Sequence, residues 1–123
     1  MTEKAILDLL YQQGLELTQA GHYQEALERF RQLTSLNQDD SSGWNGQGTT
    51  LAALGNLEEA LTAFDHVIRL SPTDRCAWNN RGCVLRGLKR YQEAIQSFDR
   101  AIELSPGYEA ALENRQDVVD QMK

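Results

Sequence analysis

Small and apolar residues recur along this chain with one long period, and within each period with a short one. Gly14, Gly48 and Gly82 stand 34 residues apart, as do Ala26, Ala60 and Ala94, and Phe30, Phe64 and Phe98. Leu17, Leu51 and Leu85 keep the same interval, and so do Leu36, Leu70 and Leu104. Trp44 and Trp78 share this register, with Leu10 one period before them and Leu112 one period after. A repeat of this length marks a stack of similar supersecondary units, each too small to bury its apolar face alone.

Inside each period the spacing is helical. Leu10, Gly14 and Leu17 follow an i, i+4, i+7 pattern, repeated by Trp44, Gly48 and Leu51 and by Trp78, Gly82 and Leu85. A second helix carries Ala26, Phe30 and Leu33, then Ala60, Phe64 and Val67, then Ala94, Phe98 and Ala101. The pattern predicts an all-α fold with helix pairs over 3–36, 41–70 and 75–104. The repeats run over 3–38, 41–74 and 75–108 of a single domain, 1–123, closed by a capping helix over 109–123.

The punctuation agrees. Gly21 and Gly55 fall between the helices of a pair, where a left-handed residue ends the first helix, and Lys89 holds that slot in the third repeat. A left-handed lysine costs about 1 kcal/mol. Pro72 and Pro106 follow second helices, while Asp39, Asp40 and Ser41 serve as caps after the first repeat. Gly48 and Ala60 read as spacers that let paired backbones approach. The two tryptophans and three phenylalanines then supply the core, and Gly82→Leu would force its pair apart. Gly87, inside a helix, reads as fraying or as room for a partner.

Segments such as AWNNRGCVLRGLKRYQEAIQSFDRAIELSP resemble the tetratricopeptide repeat (TPR), with its Trp, Gly, Leu or Tyr, Ala, Phe, Ala and Pro. The resemblance covers essentially the whole chain, is strongest over 41–106, and is closest in wording to bacterial three-repeat TPR proteins. It implies an α-α superhelix, a TPR solenoid, whose first helices line a concave face. The slots facing that groove hold Asp8, Tyr11, Leu15 and Thr18, then Ser42, Asn45, Thr49 and Ala52, then Cys76, Asn79, Cys83 and Arg86. Asn45 and Asn79 recur at the repeat interval; a side-chain amide both donates and accepts, which suits reading an extended backbone. The partner-binding candidates are Tyr11, Leu15, Asn45, Thr49, Asn79, Asn80, Cys83 and Arg86. The carboxylate clamp by which some TPR modules hold chaperone tails is missing: its slots hold Tyr11, Leu15, Gly46, Cys76 and Asn80.

Charge and chemistry narrow the function. Net charge is −6 over 123 residues, which disfavours nucleic acid and anionic membranes as partners. The distribution is uneven: 1–40 carry −4, 41–74 carry −3, 75–108 carry +3 and 109–123 carry −2. The basic third block (Arg75, Arg81, Arg86, Lys89, Arg90, Arg100) reads as a solvated face, with an anionic docking patch as the alternative. Cys76 and Cys83, seven residues apart on one helix, sit about 10 Å apart by helical rise, too far for a disulfide, and form no zinc site. His22 in a turn and His66 on an outer face meet no nucleophile, and no phosphate loop or metal spacing occurs.

No apolar run reaches the ~20 residues of a membrane span. These readings give a cytoplasmic, non-catalytic, cofactor-free module that binds a peptide or helix of a partner protein, with micromolar affinity expected. An assembly factor or chaperone-like adaptor is one alternative. Weak self-association through Leu57, Val118 and Met122 is the other.

Overall fold

In the computed structural model, which describes residues 1–123, the chain forms seven α-helices and no strands. They are α1 (Glu3–Gln19), α2 (Tyr23–Leu36), α3 (Ser41–Ala53), α4 (Leu57–Leu70), α5 (Arg75–Gly87), α6 (Tyr91–Leu104) and α7 (Glu109–Gln121). Side-chain caps start the first helix of each pair. The Thr2 hydroxyl accepts from the Ala5 amide, Asp40 from the amides of Ser42 and Gly43, and Asp74 from that of Ala77. Each satisfies orphan donors of a first turn.

The turns inside the pairs share one geometry. Gly21 and Gly55 lie at φ 80° and 83°, and Lys89 at φ 62°. The amides of His22, Asn56 and Arg90 then reach back to the carbonyls of Leu17, Leu51 and Leu85 at 2.8, 2.9 and 2.9 Å. This is a Schellman ending, built three times. The third turn is neither tighter nor looser than the others, so its lysine carries the backbone strain directly.

Packing follows chain order, α1 on α2, α2 on α3, and so on to α7. In addition α1 packs on α3 and α5 on α7, whereas α3 and α5, like the neighbouring second helices, make no comparable contact. At both ends of the stack first helices therefore stand closer together than second helices, and the stack bends there toward the first-helix side.

The core explains the spacing rule and corrects one part of it. A Cβ added at Gly14, Gly48 or Gly82 would lie 2.5, 2.7 or 2.5 Å from the ring of Phe30, Phe64 or Phe98. The glycine thus makes room for the phenylalanine of its partner helix rather than for the alanine. Phe30 is held from two sides, because a Cβ at Gly46 would also meet it at 2.5 Å. The three rings are buried, whereas Trp44 and Trp78 are only half-buried and do not belong to the core as the periodicity suggested. Their indole N–H groups donate to the carbonyls of Gln38 and Pro72, at 2.8 and 2.9 Å, and tie each first helix to the loop before it. Keeping the N–H satisfied holds the ring near the surface.

Gly87 is exposed as the last residue of α5, and a Cβ there would come within 2.9 Å of Leu57 from the preceding repeat. Val118, one of the three residues expected to support self-association, is fully buried beneath α7, and Leu57 packs against the core. Only Met122 of that set remains exposed.

Candidate partner-binding face

The predicted groove residues divide into two groups. Tyr11 and Leu15 on α1 are half-buried, and the Tyr11 ring leans on Phe30 with centroids 6.2 Å apart. On α3, Asn45 is half-buried and Thr49 is exposed, its hydroxyl donating to the Asn45 carbonyl at 3.0 Å. Asn80 on α5 is also half-buried. The side-chain amides of Asn45 and Asn80 have no partner within the chain, and no buried polar atom is left unsatisfied, so both amides reach the surface.

The remaining candidates are engaged by α7. Asn79 is buried rather than outward-facing, and its carbonyl oxygen accepts from Asn114 at 3.1 Å. The same Asn114 amide lies 3.4 Å from the Cys83 sulfur, and burial raises the Cys83 thiol pKa, with Arg86 opposing. Arg86 donates to Gln121 at 2.9 Å and pairs with Asp117 at 3.8 Å. Cys76 lies 3.7 Å from the Tyr108 hydroxyl, and Arg75 stacks over the Tyr108 ring. Asn79, Cys83 and Arg86 thus meet the closing helix first. The repeat register pairs Asn79 with Asn45 and Asn80 with Gly46; a turn of ~100° separates the two asparagines on the helix, and α7 takes the one in register with Asn45.

The basic third repeat is largely neutralised. Arg81 pairs with Asp65 at 2.7 Å and donates to Ser97, Arg90 pairs with Glu93 at 2.7 Å, and Arg100 with Glu103 at 3.0 Å. The Arg90 pairing holds the Glu93 carboxyl below its ordinary value. Exposed pairs of this kind stabilise weakly, but they leave little free positive charge for an anionic partner. Of the histidines, His22 is exposed at the start of α2. His66 is not a plain surface residue, because its ring stacks on Trp44 with centroids 4.0 Å apart and planes 14° apart. Nothing in the repeat spacing foretells this pair.

The arrangement is a curved stack of helix hairpins in which the one basic groove candidate, Arg86, is already paired, and it defines an α-solenoid of the kind that presents its first helices to a ligand. Family models described as Tetratricopeptide repeat match residues 11–75 and 76–108. The chain belongs to the tetratricopeptide repeat family. No curated protein matches it.

Among solved structures it is similar to the first TPR of Spaghetti (RPAP3) bound to HSP90 peptide SRMEEVD, at 16% identity and TM-score 0.93, covering 98% of this chain and 96% of that one. It is similar to YrrB, described as a TPR protein with an unusual peptide-binding site, at 28% identity and TM-score 0.86. That match covers 89% of this chain and 57% of YrrB. A third is the Yersinia enterocolitica type III secretion chaperone SycD in complex with a peptide of the translocator YopD, at 18% identity and TM-score 0.88, covering 95% of each chain. The chain has no helix long and apolar enough to cross a membrane.

Proposed function

We propose that the chain is a non-catalytic interaction module that holds a peptide or helical segment of a partner protein against α1, α3 and α5. The observation that carries this reading is the pair of unspent amides, Asn45 and Asn80, on adjacent first helices, with half-buried Tyr11 and Leu15 on the first helix before them, α1, as apolar footing. Amides free in the unliganded chain gain hydrogen bonds on binding without first breaking internal ones. The solved TPR domains bound to HSP90 and translocator peptides support the same use of the fold.

The groove candidates other than the paired Arg86 carry no charge, which favours a segment recognised by its backbone and apolar side chains, at micromolar affinity. The reading needs no cofactor and no metal. Peptides selected from a displayed library against the full chain test it. The double variant Asn45→Ala, Asn80→Ala should bind them roughly tenfold or more weakly with an unchanged thermal midpoint, and undiminished binding would sink the reading. A chaperone-like role in delivering a client to a larger assembly is the second reading, favoured by the likeness to the secretion chaperone SycD.

A further inference from the structure

First helices meet first helices at three junctions, and the middle one stays open. α1 packs on α3 and α5 on α7, whereas α3 and α5 make no comparable contact. At the last junction the Asn114 amide of α7 donates to the Asn79 carbonyl oxygen of α5 at 3.1 Å and lies 3.4 Å from the Cys83 sulfur. One period earlier the same three slots hold Asn80, Asn45 and Thr49. The asparagine pair recurs, yet its hydrogen bond does not. The side-chain amides of Asn45 and Asn80 have no partner within the chain, and the Thr49 hydroxyl is spent on the Asn45 main-chain carbonyl. A second tie is missing as well, because Ala52 stands in register with Arg86, which reaches Gln121 and Asp117 across the last junction. On its other side α3 settles closely onto α2: a Cβ at Gly43 or Gly46 would stand 2.7 or 2.5 Å from Leu33 or Phe30, where α5 carries Ala77 and Asn80.

We infer that this seam takes one trans peptide group of an extended partner segment, held in series between Asn45 and Asn80. The inference rests on the proposed function and fixes where along the segment the two amides act. The peptide N–H donates to the Asn45 carbonyl oxygen and the peptide C=O accepts from the Asn80 amide, the polarity that Asn79 and Asn114 display directly. A trans peptide points these two groups in opposite directions, as a bridge between facing amides requires. A side-chain carboxamide carries both on one edge and pairs with a single asparagine, a carboxylate only accepts, and proline has no N–H to offer. The chain holds one such point. At the first junction the equivalent slots are Tyr11 and Gly46, which bring no amide, and at the last the chain closes the gap itself. The seam therefore reads a single peptide group rather than a run of them.

The test uses the full chain and a fluorescein-labelled peptide selected against it from a displayed library, remade with each backbone nitrogen methylated in turn. Methylation at one peptide bond should weaken binding roughly tenfold or more, and at the neighbouring bonds under about threefold. Against the Asn45→Ala, Asn80→Ala chain that bond should lose its distinction, with all the methylated peptides binding alike. NMR of the wild type supplies a readout that needs no variant: the side-chain amide signals of Asn45 and Asn80 should shift on binding, and those of Asn79 and Asn114 should stay. An even response along the peptide, losses at several successive bonds, a single sensitive bond that persists in the double variant, or unmoved Asn45 and Asn80 signals would each overturn the inference. Weaker binding to the double variant would still uphold the proposed function in those cases. Undiminished binding of the unmethylated peptide to the double variant, or a library that yields no binder, would remove both.

Discussion

Lys89 sits at φ 62°, where its two counterparts are glycines. The lysine side chain is exposed, so the site contributes strain without a compensating contact. Lys89→Gly should raise stability by about 0.5–1 kcal/mol, the relief of left-handed strain less the added freedom of glycine in the unfolded chain; urea denaturation of the two proteins decides it. His66 carries a pH dependence of known sign. Burial lowers its pKa below the ordinary histidine value, Arg69 beside it lowers it further, and Asp65 opposes. The unfolded chain therefore binds the proton more readily, so the contribution of this residue is complete above the ordinary value and is lost as pH falls through the depressed one. The stability gap between wild type and His66→Gln should shrink as pH is lowered from about 7 to about 5, and a gap constant over that range would rule the coupling out. The left-handed slot was legible in the sequence, because a turn between two helices of fixed length leaves one place for it. The stack of Trp44 on His66 was not, because the same spacing that set tryptophan on the helix also allowed a buried ring, and only the Gln38 carbonyl holds it outward.

Helices as units were easier to read than their faces. Helix limits follow from caps and turns that act within a few residues, such as Asp40, Asp74 and the Schellman endings, and these are local enough to see in a string of letters. Which side chains a helix spends on its neighbour depends on an element far along the chain. The closing helix shows this. It buries Ala111 and Val118, and it takes Asn79, Cys83 and Arg86 of α5 through Asn114, Gln121 and Asp117. Gln116, in the slot of the spacer glycine, is exposed, as befits a first helix with no second helix to receive. Val118 belongs to the same core cluster as Leu85 and Phe98. Val118→Ala should therefore cost about 2 kcal/mol through lost burial and a residual cavity, against under ~1 kcal/mol for the half-buried Val119→Ala. Equal losses in paired denaturation curves would mean that α7 caps the stack loosely and that its polar contacts to α5 are incidental.

At the scale of the molecule the repeat organisation sets shape and the substitutions within it set chemistry. Three helix hairpins give this chain the fold of the RPAP3 domain solved with the HSP90 peptide SRMEEVD, at a TM-score of 0.93 but only 16% identity. The shared shape does not transfer the ligand, because recognising clustered carboxylates requires cations aimed at them. Here the slots of the carboxylate clamp hold Tyr11, Leu15, Gly46, Cys76 and Asn80. Arg86, the basic residue among the groove candidates, is already drawn to Asp117 and Gln121. The clamp is also not recoverable at every slot. Gly46 lies against Phe30 so closely that a Cβ would stand 2.5 Å from the ring, and any side chain there would displace a core residue. The net charge of −6 adds a mild long-range repulsion. A peptide ending in acidic residues should therefore bind no more tightly than its neutral counterpart with glutamate and aspartate replaced by glutamine and asparagine, and raising salt should not weaken it, since no ion pair is there to be screened. Fluorescence anisotropy of the two labelled peptides at low and high salt reads both outcomes. A clear preference for the acidic peptide that fades with salt would show that the inner face carries positive charge which the arginine pairings do not hold, and would require Arg86 to leave α7 when a ligand arrives.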